Sequence, residues 1–226
     1  MDEIRIETND SLRYWLALLR APGLGCRGIN RLLGLTSGDP QPLFSRQHPA
    51  HQGLKPDSIA YLRDPDWQPV EQDLRWLEQP GRQLLTLRDP LYPALLREIT
   101  DPPPLLFVQG DPAVLENPQL AIVGSRNPTP GGRQSATDFA RFLSSAGLTI
   151  CSGLTAGLDG APHRGALEAA APPVAVTGPG RDQAQPPTHR ELHHRISGPA
   201  PLVSPPPTAT TPLASNTLRH HTSTTR

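Results

Sequence analysis

The chain has 226 residues with 21 basic and 21 acidic side chains, so its zero net charge gives no overall electrostatic signature of a nucleic-acid partner. No apolar run approaches the roughly 20 residues that cross a bilayer, and the acidic start Met1-Asp2-Glu3-Ile4-Arg5-Ile6-Glu7 is wrong for a secretory or organellar leader. Cys26 and Cys151, far apart in sequence, make neither a disulfide framework nor a metal site, so a reduced cytoplasmic protein of one large or two small domains is expected, with no membrane segment.

Residues 12–34 read as helix, hairpin, helix. Leu12, Trp15, Leu16 and Leu19 fall at helical spacing behind an Asp10/Ser11 N-cap, and Pro22-Gly23-Leu24-Gly25 breaks the helix. Ile29, Leu32 and Leu33 then share one face of a second helix. The stretch Gly23-Leu24-Gly25-Cys26-Arg27-Gly28 matches G-x-G-x-x-G, but no strand precedes it and the nearest acid, Asp39, comes too early to reach a ribose. Its glycines suit either a hairpin that meets a nucleic-acid backbone or a plain helix–helix turn. A short helix at 58–62 follows, then an amphipathic one at 67–77 with Val70, Leu74 and Leu77 inward and Gly81 as its stop. Residues 1–80 thus form a small all-α domain.

Beyond Gly81 the period changes. Strands are expected at 83–87 and 105–109 around a short helix at 92–99, and Leu120-Ala121-Ile122-Val123 reads as a fully apolar strand of the buried parallel kind. Thr129-Pro130 opens a helix as N-cap and first residue, with Ala136, Phe139, Ala140 and Leu143 on its inner face and Gly147 closing it. A strand at 148–151, a helix at 160–170, a strand at 174–176, a helix at 188–196 and a remnant strand at 202–203 complete the alternation. Such alternation predicts an α/β fold with a parallel, doubly wound sheet. Charge follows the division: residues 1–119 carry a net −4 and residues 120–226 a net +4. The last stretch is compositionally poor. Eleven of the 41 positions from 172 to 212 are Pro, and Phe142 is the last aromatic. Only eight of the 56 residues from 171 onward are Leu, Ile, Val or Phe, below the roughly 20% that sustains a packed core. Residues 81–171 are therefore expected to fold as the sheet domain, and residues 172–226 to form a degenerate, poorly folding remainder.

Two turns carry the chemistry. Gly124-Ser125-Arg126 follows a strand and precedes a helix, where a glycine lets backbone approach a phosphate and Arg supplies a bidentate donor. Ser152-Gly153-Leu154-Thr155-Ala156-Gly157-Leu158-Asp159 holds the equivalent place one strand later, although its glycines could equally serve backbone geometry alone. His189 and His193 have the i, i+4 spacing of a zinc helix but lack a correctly placed Glu and a third ligand. His163 has no nucleophile and orienting acid beside it, which favours a structural role.

Ala121-Ile122-Val123-Gly124-Ser125-Arg126, with Ser152-Gly153-Leu154-Thr155-Ala156-Gly157-Leu158-Asp159-Gly160-Ala161-Pro162-His163-Arg164-Gly165-Ala166-Leu167, resembles the DprA/Smf DNA-processing proteins. Tyr92-Pro93-Ala94-Leu95-Leu96 and Pro103-Pro104-Leu105-Leu106-Phe107-Val108-Gln109-Gly110 support the likeness, which covers about residues 10–170. The resemblance implies a helical hairpin-like (SAM-like) domain before a Rossmann-like domain that binds single-stranded DNA without sequence demand. It further implies a non-enzymatic role in natural transformation, protecting incoming DNA and helping to load the RecA recombinase, with a homodimer as a further assembly and no cofactor. Carried over by position, the DNA-binding residues are Gly124, Ser125 and Arg126 in the first loop and Ser152, Gly153 and Gly157 in the second. Gly178 and Gly180 come from a third loop, Val174-Ala175-Val176-Thr177-Gly178-Pro179-Gly180-Arg181-Asp182, which departs from the family pattern A-V-L-G-x-G-L-D. Leu202-Val203-Ser204 runs into Pro205-Pro206-Pro207 where Glu-Phe-Pro is usual, and Ser215-Asn216-Thr217-Leu218-Arg219-His220-His221-Thr222 stands where the family has a basic R-N-R-type motif. A C-terminally truncated or degenerate member is therefore expected. The alternatives are a non-functional remnant, or a nucleotide-binding hydrolase of Rossmann-like fold, which would need an acid–base pair and a P-G-G-x-G-T-type loop.

Overall fold

The computed structural model describes residues 9–154, 157–177 and 201–204. The chain divides into two compact units, residues 1–79 with 101–104, and residues 80–100 with 105–226.

The first unit is helical. Helix α1 (Asn9–Leu19) is followed by α2 (Cys26–Leu35), two short 3-10 turns (Gln41–Phe44 and Pro49–His51), α3 (Pro56–Arg63) and α4 (Trp67–Leu77). Helix α1 already includes Asp10 and Ser11, so these residues do not cap it as their types suggested. Gly23, at φ 72°, turns the chain between α1 and α2, and the Ser58 hydroxyl donates to the Pro22 carbonyl at 2.6 Å. With helices on both sides, the G-x-G-x-x-G stretch is no strand-to-helix phosphate turn. Leu16, Leu18, Ile29, Leu32, Leu43, Leu62 and Val70 form the interior. Helix α4 departs from its predicted face: Val70, Asp73 and Trp76 are buried, whereas Leu74 and Leu77 are only half-buried. The cause is an ion pair. Asp73 is fully buried and pairs with the guanidinium of Arg20, the residue after α1, so the face of α4 that carries Asp73 turns inward.

Among the described residues, the second unit is a three-layer α/β structure around a six-stranded sheet. Its strands are β1 (Arg82–Thr86), β2 (Leu105–Gln109), β3 (Gln119–Ala121), β4 (Thr149–Gly153), β5 (Val174–Val176) and β6 (Leu202–Ser204), in the order β1-β2-β6-β5-β4-β3. Strands β3 to β6 are parallel, while β1 and β2 pair antiparallel and β2 meets β6 antiparallel. The parallel part agrees with the strand–helix alternation. The doubly wound expectation does not hold among the described strands. From β3 to β6 the order never reverses, so right-handed crossovers place α6 (Pro130–Ser145) and α7 (Gly160–Glu168) on the same face. Ile150, Ala140 and Ala166 are buried between these helices and the sheet. The opposite face is covered by α5 (Ala94–Arg97) and the 3-10 turn Pro112–Glu116, whose Leu96, Val114 and Leu115 pack with Leu106, Val108, Cys151, Val174, Val176 and Val203. Within 172–226, the short apolar pieces β5 and β6 thus carry core residues. The expectations for Gly178, Gly180, the helix at 188–196 with its His pair, and the segment at 215–222 that stands in place of a basic motif lie outside the described residues.

Two further expectations are corrected. Strand β3 is shorter than predicted and only half-buried, with Val123 beyond it 55% exposed, because β3 is the sheet's edge and is paired on one side only. Phe139 does not face inward: it is 65% exposed and Phe142 71% exposed. Helix α6 packs instead through Ala136, Ala140 and Ser144. Small residues are required there because α7 comes very close at Gly165, where an added Cβ would lie 2.1 Å from the Thr137 carbonyl oxygen and 2.9 Å from the Ala140 Cβ. Gly165→Ala is accordingly expected to force α6 and α7 apart and cost roughly 1–3 kcal/mol by overpacking, read as a lower urea midpoint in far-ultraviolet circular dichroism.

Candidate nucleic-acid interface

The site is built at the carboxyl ends of β3 and β4, where parallel strands hand over to helices. The ladder continues one residue past β3, with the Ile122 amide donating to the Cys151 carbonyl at 2.9 Å. The buried Ser152 hydroxyl then donates to the Ile122 carbonyl at 2.7 Å. Ile122 is thereby fixed on both of its backbone groups, and the chain leaves the sheet at a defined point. Gly124, Ser125, Arg126 and Asn127 follow, all exposed. The Asn127 amide donates to the Ser125 hydroxyl at 3.1 Å, closing a tight local turn. Thr129 then caps α6, its hydroxyl accepting from the Gly132 amide at 3.1 Å, as the Thr-Pro signal predicted.

The second turn packs directly on the first. The Leu158 amide donates to the Ser125 carbonyl at 3.1 Å. Gly157 has φ 116°, and a Cβ there would fall 2.6 Å from both the Arg126 Cα and the Ser125 carbonyl oxygen. In return, a Cβ on Gly124 would lie 2.3 Å from the Leu158 Cδ2. Each turn has a glycine where the other's atoms arrive.

Of the residues expected at this site, Gly124, Ser125, Arg126 and Gly157 come together. Ser152 and Gly153 are buried beneath them. Ser152 spends its hydroxyl on Ile122, and the Gly153 carbonyl pairs with the His163 Nε2 at 2.8 Å. A carbonyl can only accept, so Nε2 carries the proton, and His163, fully buried, ties α7 to the end of β4. Thr155 and Ala156 lie outside the described residues. Leu158, which composition and spacing did not single out, is the side chain that meets Gly124.

The surrounding cations differ in availability. Arg141 is engaged by Asp138 at 2.6 Å and Glu168 at 3.3 Å. Arg126, Arg133 on the first turn of α6 and Arg164 on α7 are exposed, and among the described residues none of the three has an ion pair. An exposed guanidinium beside a backbone turn and a capped helix start can grip a phosphate oxygen pair. Since β3 and β4 are consecutive in a sheet that does not reverse there, the site's position rests on the strand ends and the paired glycine turns rather than on a topological switch.

Comparison with known proteins gives consistent findings. The family described as DNA recombination-mediator protein A matches residues 83–220. Protein Smf of Escherichia coli (strain K12) is 38% identical over 154 residues, which is 67% of this chain and 41% of that protein. Among solved structures, DNA processing protein A of Streptococcus pneumoniae has a TM-score of 0.74 at 24% identity, a likeness of fold covering 94% of this chain and 75% of that one. The DNA processing protein A of Helicobacter pylori, solved for its single-stranded DNA binding mode, has a TM-score of 0.53 at 27% identity over 62% of this chain and 64% of that one. The chain spans less than half the length of the E. coli relative. Among the described residues, no helix is long and apolar enough to cross a membrane.

Proposed function

The chain belongs to the DNA recombination-mediator protein A family, and on that premise we propose that it binds single-stranded DNA through the exposed Gly124-Ser125-Arg126 turn. The observation that carries this is the packing of two glycine turns at the strand ends, which presents Arg126 and the Gly124–Asn127 backbone on the surface. A backbone-directed grip of this kind recognises phosphates and is blind to sequence. The H. pylori relative, described for its single-stranded DNA binding mode, supports the same ligand. The role is one of holding and handing over DNA in the cytoplasm. No bond is made or broken, and no cofactor is required. The family's description as a recombination mediator supports delivery of the bound strand to a RecA-type recombinase and a place in natural transformation. Homodimer formation belongs to the same proposal.

The test is salt. Every phosphate neutralised on a single strand releases counterions, giving a log–log slope near −0.7 per contact. Affinity for a labelled oligo-dT should therefore fall steeply between low and physiological salt, and unlabelled single strands of any sequence should compete. An affinity indifferent to salt, or a preference for free nucleotide over oligonucleotide, would count against this function.

A further inference from the structure

We infer that Leu158 and Gly157 are positioning residues: they do not touch DNA but brace the Gly124-Ser125-Arg126 turn in the shape that grips phosphate, an inference that rests on the proposed role of that turn.

Three observations meet at this junction. The Leu158 amide occupies the Ser125 carbonyl, so that oxygen is spent inside the protein rather than offered to a phosphate it would repel. The Leu158 side chain lies over the bare face of Gly124, its Cβ and Cγ both 3.2 Å from where a Cβ would stand. Gly157 puts main chain against main chain, with the Arg126 carbonyl oxygen 2.9 Å from its Cβ position, at a φ of 116° that L side chains rarely adopt. Beneath them, Ser152 and His163 fix the ends of both strands. The second turn is thus a buttress for the first. Its glycine serves close approach, and its leucine fills the space that Gly124 leaves.

The two contacts differ in kind, which makes the inference testable. The obstacle to a side chain at 124 is a leucine side chain, which can be cut back; the obstacle at 157 is backbone, which cannot. Gly124→Ala is expected to weaken oligo-dT binding by about tenfold or more, and Leu158→Ala alone by roughly threefold or less, because the main-chain bond to Ser125 survives. The Gly124→Ala/Leu158→Ala double variant, which removes Cγ and Cδ2 but keeps the residue 158 Cβ 3.2 Å from the new methyl, should recover most of the binding lost in Gly124→Ala, while Leu158→Ala should bring no recovery to Gly157→Ala. Hydrogen exchange at the residue 158 amide of the 226-residue chain gives a readout that needs no DNA: slow in the parent and the double variant, fast in Gly124→Ala and Gly157→Ala at a temperature where circular dichroism shows every variant folded and the β4 amides stay protected. Absence of recovery in the double variant, or an exchange rate at residue 158 that ignores both glycine substitutions, would overturn the brace. If instead exchange behaves as expected but none of these variants alters DNA binding, the brace stands and the DNA role of the turn is what fails.

Discussion

Arg126→Ala is expected to lower affinity for single-stranded oligo-dT by about tenfold to over a hundredfold, the equivalent of roughly 1.5–3 kcal/mol for one charge-assisted phosphate contact. The magnitude follows from position. Arg126 is exposed, free of ion pairs among the described residues, and fixed at its backbone by the second turn, whose Gly157 lies against its Cα. A guanidinium held there reaches a phosphate with little further ordering, and its planar fork can take two oxygens at once. Arg126→Lys should restore only part of the loss, because an ammonium is a point charge. Arg141→Ala is the internal control. Its guanidinium is already engaged by Asp138 and Glu168, so its removal should change affinity far less. Fluorescence anisotropy at fixed salt, with folding verified for each variant, gives the comparison. An Arg126→Ala protein that binds like the parent while Arg133→Ala does not would move the grip onto α6.

The largest effect on stability is expected in the helical unit. Arg20→Ala leaves Asp73 fully buried without its cation, and breaking such a pair from one side costs about 3–5 kcal/mol. The penalty belongs mainly to the stranded charge, so Arg20→Met combined with Asp73→Leu should be less damaging than either single change. All three tryptophans, Trp15, Trp67 and Trp76, lie in this unit. Trp67 sits in a ring cluster with Tyr14 and Phe44, under the Arg13 guanidinium at 4.4 Å. Tryptophan emission during urea unfolding therefore reports this unit selectively. If the double variant unfolds earlier than both single variants, the pair is valued for packing rather than for mutual neutralisation.

Some of this protein was legible from residue order because a local cause dictates it. Thr129-Pro130 sets the start of α6 whatever surrounds it, and the strand expected at 148–151 between two helices is β4, which runs Thr149–Gly153. That Gly124, Arg126 and Gly157 meet was legible for a related reason: adjacent parallel strands bring their strand-to-helix turns side by side. What escaped was set by distant partners. Helix α4 buries Asp73 instead of presenting Leu74 because Arg20 lies 53 positions away, and periodicity cannot register that pairing. Phe139 faces solvent because Gly165 brings α7 too close for a ring at the interface. An apolar run at 120–123 looked like a central strand, yet edge or centre depends on which strands pair, and among the described strands β3 pairs only with β4. Ser152 looked like a ligand group because hydroxyls bind phosphates. Only geometry reveals that its proton goes to Ile122. Leu158 lies within the second turn motif but has no role of its own on sequence grounds, since a leucine after a glycine reads as ordinary core.

The central claim is that single-stranded DNA lies on the Gly124–Asn127 turn. Amide hydrogen exchange of the whole chain, with and without saturating oligo-dT, addresses it most directly. Binding there should slow exchange at residues 124–127 and over the first turn of α6, and Arg126→Ala at equal oligonucleotide concentration should abolish that protection. Protection confined to the helical unit, with the amides of 124–133 unchanged, would contradict the account and place the DNA on the α1–α2 hairpin instead.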